Sequence, residues 1–356
     1  WQNREATLAR HHAFWRGEQT DRPLAGAYLG AYEVADVYLV AEDNQLLEPQ
    51  QIVPERFFDV FAARCEASER LGEDLFRPLS PLYCVPWLEA ILGCPVRVHS
   101  QACWAEVLLA EDEPLEALQP ALSEIWLEAA IEFVKALSER PDGHFPVAGL
   151  FLRGPADVVA AMVGIERMCY AFYDRPAEIR RLARLAAEAW IQVTGAIYQH
   201  IPRFEGGFVD AGRWIHAPAT YASSSEDTTA YISADLYREF FLPYNQMMVD
   251  AFPYGHIHRH SASVHNLLDL LDLETTWAIE VTMDPGGPTL SEMLPIFQRI
   301  QEEGQPLIVF GLDEERGVAD LVAELSPRGL CVVVQADTPT KAKELLAIAK
   351  GGKKEC

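Results

Sequence analysis

The segment His256-Ile257-His258-Arg259-His260 places three imidazoles at alternate positions. Its neighbours give it the look of a strand, and in a strand alternate side chains share one face. Imidazoles gathered there can bind zinc or another borderline divalent metal, with Glu280 or Asp284 from the next strand as a carboxylate ligand. They can equally serve as general acids and bases, or line an anion site for a carboxylated substrate. His258 and His260, at the strand's end, are the expected metal ligands, with Glu280 beside them. His256, at the entry of the strand, is either an exposed structural group or a substrate contact.

Other ionisable residues follow apolar runs in the same way. Asp210 comes after Gly-Gly-Phe-Val, and Glu226 and Asp227 are adjacent carboxylates in SSSEDTTAYIS, which reads as a loop before a helix capped by Ser233. These three acids are the expected catalytic groups, although a solvated acidic loop explains the Glu226-Asp227 pair equally well. Arg153, before a Gly-Pro helix start, and Asp313, after VFGL, are expected substrate contacts. Arg153 could instead pair with a neighbouring acid, and Asp313 could favour the N-terminus of the following helix through its dipole.

What would bring these residues together is a parallel sheet. From about residue 145 onward, short apolar runs (FPVAGLFL, GGFVDA, HIHRH, TWAIEV, PLIVFGL and GLCVVVQA) alternate with helical patterns of ten or more residues. That cadence implies right-handed strand-helix-strand units. No GxGxxG follows an early strand, and 356 residues suit a decorated barrel, so the expected fold is an α/β (β/α)8 TIM barrel with N-terminal helical decoration. No linker or repeat divides the chain, and residues 1–356 read as one domain.

Composition narrows the function. The net charge of −24 argues against nucleic-acid and anionic-membrane partners, and no stretch approaches the roughly 20 apolar residues that span a bilayer. Seven scattered cysteines without a CxxC pair read as reduced thiols, which points to the cytoplasm. Cys331, inside an apolar run, reads as a buried core thiol. The terminal GGKKEC reads as a frayed end.

Several segments, in order, resemble the uroporphyrinogen decarboxylase superfamily, which also contains corrinoid-linked methyltransferases. They are VAGLFLRGPADVVAAMVGIERMCYAFYDRPAEI, ISADLYREFFLPYNQMM, HRHSASVHNLLDLL, PLIVFGLD and ADTPTKAKELL. The resemblance implies a (β/α)8 barrel that acts on a small molecule. Two departures bear on function. The decarboxylases carry an arginine-rich N-terminal signature, whereas the stretch here is PLAGAYLGAYEVADVY, without arginine. The methyltransferases hold zinc with His-x-Cys and a later cysteine, whereas here His258-Arg259-His260 stands at the first position and VVVQADTP at the second. The Glu226-Asp227 step is similar to the methyltransferase-like branch. The resemblance therefore implies a methyltransferase-like enzyme, metal-assisted, with a corrinoid protein as partner and a homodimeric assembly. The alternatives are a decarboxylase in which Arg153 and the histidines hold carboxylates, or a barrel that binds a ligand without turnover.

Overall fold

The computed structural model describes residues 4–30, 41–99, 102–140 and 144–351. Part of the N-terminal signature stretch and most of the terminal GGKKEC lie outside them. Seven strands form one parallel sheet: β1 (Leu24–Leu29), β2 (Leu152–Arg153), β3 (Tyr221–Ser225), β4 (Tyr254–His260), β5 (Ala278–Thr282), β6 (Leu307–Leu312) and β7 (Leu330–Ala336). The order across the sheet is β1-β7-β6-β5-β4-β3-β2. From β2 to β7 each strand pairs with its successor in sequence, and β1 pairs with the last, which is the order of a barrel.

Alternation divides the strands between two environments. Leu307, Val309, Leu330, Val332 and Val334 join the outer core with the helices, while Ile308, Cys331 and Val333 join an inner cluster. Phe14 and Trp15 of the N-terminal helix Arg4–Trp15 belong to that inner cluster, and the Trp15 indole donates to the His216 carbonyl at 2.9 Å. The outer face is covered by long amphipathic helices, of which Pro176–Tyr198 is the longest, opening on a proline whose missing N–H costs a helix start nothing. Among the described residues no helix is long and apolar enough to cross a membrane.

The expected closed eight-stranded ring does not form as a continuous ladder among the described strands; the fold is a barrel-like sheet of seven. The gap between β1 and β2 is crossed by residues 73–79. On one side Asp74 N donates to the Ala25 carbonyl at 2.9 Å. The Ala25 and Ala27 amides in turn donate to the carboxylates of Asp74 (3.0 Å) and Glu73 (2.8 Å). Side-chain oxygens thus take the acceptor role of a neighbouring strand, and the strand's amides stay paired. On the other side Leu79 makes a single parallel bridge to Val147. The close approach requires Gly26, because a Cβ there would fall 2.1 Å from Leu75 Cδ1.

Three other sequence expectations change. GGFVDA does not enter the sheet: Phe208–Val209 pairs antiparallel with His216–Ala217. Of the FPVAGLFL run only Leu152 is in a strand, which Arg153 completes. Tyr221–Ser225, whose serines read as part of a loop, is a wholly buried strand between β2 and β4.

Candidate functional site

A cavity of about 520 Å³ opens at the carboxyl ends of the strands. Its lining includes Tyr28 of β1, Ser225 of β3, His258 and His260 of β4, Thr282 of β5, Phe310 of β6 and Gln335 of β7. This is the end at which parallel barrels present reactive side chains.

Strand register builds the site. Across β3, β4 and β5, Ser225, His258 and Glu280 lie in one row, and His260 stands one step higher beside Thr282. Asp227, just past the end of β3, returns to the same side, with Oδ1 at 3.4 Å from His258 Nε2 and 3.5 Å from His260 Nε2. Ser225 Oγ donates to Asp227 Oδ1 at 2.8 Å, and Asp157 accepts from the backbone amides of Asp227 (3.0 Å) and Thr228 (2.7 Å). The carboxylate is therefore held from both its side chain and its backbone.

The far nitrogen of each imidazole is also engaged. His258 Nδ1 donates to Glu280 Oε2, and His260 Nδ1 lies 2.5 Å from Asp284 Oδ1. Asp284 also accepts from Ser261 Oγ and the Ala262 amide. With both Nδ1 atoms so occupied, the two Nε2 atoms are left to face Asp227. Asp227, His258 and His260 each offer one donor atom, and the three atoms lie within 4.8 Å of one another. Two nitrogens and one oxygen, each imidazole backed by a carboxylate, fit a divalent metal with its outer shell already in place.

Charge is concentrated here. Burial alone would push the His258 imidazole down, but the charge of Glu280 and the hydrogen bonds to Asp227 and Glu280 lift it to about 9. Burial opposes ionisation of Glu280 as well, yet Arg213 and His258 bring it down to about 2. Asp227 lies well below the ordinary carboxylate range, because His258 and His260 outweigh its partial desolvation at the cavity wall. Arg213 is buried, its Nη2 is 3.0 Å from Glu280 Oε2, and its guanidinium lies 4.4 Å from the Phe310 ring centroid.

The remaining expected site residues are dispersed. Glu226 turns away from the cavity into a fully buried ion pair with Arg259, and Asn245 donates to its Oε2 at 2.8 Å. His256 lies deeper on the inner face, bonded through Nδ1 to Tyr221 Oη at 2.7 Å; burial pushes it down to about 4. Asp210 sits beside it, 3.9 Å away, and accepts from the Arg213 amide. Arg153 pairs at 3.3 Å with the buried Glu89, and Asp313 is exposed; neither lines the cavity. Arg213 had no signal in the sequence, since its place depends on a loop in which Trp214 adopts φ 61°.

No family model matches the chain, and no curated protein sequence matches it. Among solved structures, a methyltransferase from Methanosarcina mazei is similar, with a TM-score of 0.67 and 15% sequence identity. The match covers 97% of this chain and 98% of that one. At that identity the likeness carries the fold, an α/β barrel-like architecture over nearly the whole length.

Proposed function

We propose that this chain is a methyltransferase-like enzyme whose active site is the cavity at the strand ends, with Asp227, His258 and His260 as ligands of a divalent metal, zinc among the candidates. The supporting observation is the pairing of both Nδ1 atoms with carboxylates, which turns both Nε2 atoms toward Asp227. In this reading Asp227 rather than Glu280 is the carboxylate ligand, while Glu280 and Asp284 orient the imidazoles. A bound cation would supply Lewis acidity toward a small methylated substrate. The likeness to the M. mazei methyltransferase and the sequence resemblance support methyl transfer, and the resemblance adds a corrinoid protein as methyl donor or acceptor.

Elemental analysis of the purified protein tests this. About one equivalent of metal is expected, lost in both the His258→Ala/His260→Ala double variant and Asp227→Ala. Absence of metal after reconstitution, or metal retained in the double variant, refutes the ligand set. A second reading, decarboxylation of a carboxylated substrate, is favoured by the three arginines of the cavity, Arg64, Arg77 and Arg213. Release of CO2 from a carboxylated substrate by metal-free protein would support it over methyl transfer.

A further inference from the structure

The large apolar side chains of the cavity wall are aromatic, with the smaller Pro78, Pro81, Cys84 and Ala211 between them. Tyr28, Phe61, Tyr83, Trp214 and Phe310 line it, and no leucine, isoleucine, valine or methionine does among the described residues. The main core of the same protein is rich in those aliphatic side chains. An aliphatic ligand would be served equally well by such residues, whereas rings offer faces and edges that pair best with another ring.

The polar wall is cationic. Arg64, Arg77 and Arg213 line the cavity, and Asp227 is the one carboxylate among its described lining residues. Arg213 is paired with Glu280, and two further guanidiniums beside that pair run against a chain whose net charge is −24. Arg77 and Trp214, both buried, are stacked, with the guanidinium 3.5 Å from the ring centroid, so ring and cation are presented side by side. Guanidinium groups in this setting favour carboxylate-like anions through paired N–H donors.

We propose that the cavity takes a planar aromatic anion, an arene or heteroarene ring carrying a carboxylate or a comparable acidic group. The proposal rests on the cavity's being the active site and names the substrate class for it. The ring lies among the aromatic side chains and the acidic group meets Arg77 and Arg64. A volume of about 520 Å³ holds a one- or two-ring ligand.

Calorimetric titration with benzoate, cyclohexanecarboxylate and benzamide separates the contributions of ring and charge. Benzoate is expected to bind at least tenfold tighter than either analogue, and to lose tenfold or more in Arg77→Gln and in Arg64→Gln, each checked for folding by circular dichroism. Equal binding of the three probes, or no benzoate binding at millimolar concentration, overturns the proposal. The same titration on wild type, alongside its metal analysis, keeps the two readings apart. Selectivity for benzoate that survives in a wild type without metal leaves this proposal standing while the metal assignment fails. Bound metal without benzoate selectivity gives the reverse.

Discussion

Replacing Glu280 with glutamine should change how metal binding depends on pH more than it changes affinity at neutrality. In the metal-free protein His258 titrates at about 9, so at pH 7 the neutral imidazole needed by a cation is about 1% of the population. Two pH units correspond to about 2.7 kcal/mol of proton competition. Wild-type affinity should therefore rise about tenfold per pH unit from 7 to 9 and then level off. Glutamine keeps the shape at position 280 but removes the charge that does most to raise His258, leaving burial and Arg213, which lower it, against the hydrogen bond to Asp227, which raises it. Two effects then oppose each other at pH 7. The imidazole loses its carboxylate support, about 10- to 100-fold in affinity, and also loses most of the competing proton, which returns up to about 100-fold. The variant should lie within about tenfold of wild type at pH 7 and fall about 10- to 100-fold below it above pH 9. Competition against a chromophoric chelator across this range reads the affinities. Calorimetry in buffers of different ionisation enthalpy should show about one proton released per metal at pH 7 for wild type and fewer for the variant. A wild-type affinity that is flat from pH 7 to 9, or a variant displaced equally at every pH, would refute the assignment of His258 as a protonated ligand held by Glu280.

The outer carboxylate of His260 gives a simpler case. Asp284 is partly exposed, so Asp284→Asn should weaken metal binding by about tenfold with little change in thermal midpoint, measured by chelator competition and calorimetric melting. Glu226→Ala should do the opposite. It strands the buried Arg259 cation, at a cost of about 3–5 kcal/mol in denaturant unfolding, and leaves metal stoichiometry at wild-type level in the folded protein. Gly255→Ala places a Cβ 2.3 Å from the Ala222 carbonyl and 2.5 Å from the Trp277 ring, so β3 and β4 must separate; a loss of about 1–3 kcal/mol or more is expected in the same assay. On the acid side, His11, His216 and His256 are pushed down by burial to about 3, 4 and 4. Because the unfolded chain binds these protons first, stability is full above about pH 6.5 and declines as pH falls toward 4, by roughly 3 kcal/mol for each of the fully buried His11 and His256. An unfolding free energy that stays constant between pH 6.5 and 4.5 would contradict their burial as neutral groups.

The parts of this architecture visible in the sequence are those with a strong local period. The strands from HIHRH onward are legible as short runs between helical patterns, the sharing of one face by His258 and His260 follows from strand alternation, and the burial of Cys331 follows from its place inside an apolar run. The serine-rich YASSS segment failed that test because its inner positions are hydroxyls and carry no apolar period. The divergence of Glu226 from Asp227 was hidden with it. Once residues 221–225 are strand, parity continues past its end: Ser223, Ser225 and Asp227 fall on one side and Ser224 and Glu226 on the other. The same parity in β4 turns His258 and His260 inward and Arg259 outward, so the two inner histidines meet Asp227 while Arg259 meets Glu226. A single alternation thus sends the two acids of the pair to different places, Asp227 to the cavity beside the histidines and Glu226 into the buried ion pair with Arg259. What no local rule could supply is Arg213. It reaches Glu280 only because Asp210 holds its amide and Trp214 accepts a left-handed backbone, a tertiary arrangement spread over 67 positions of sequence. Its charge then helps to hold Glu280 ionised behind His258, so the electrostatics of the proposed ligands are completed by the residue least legible in the chain.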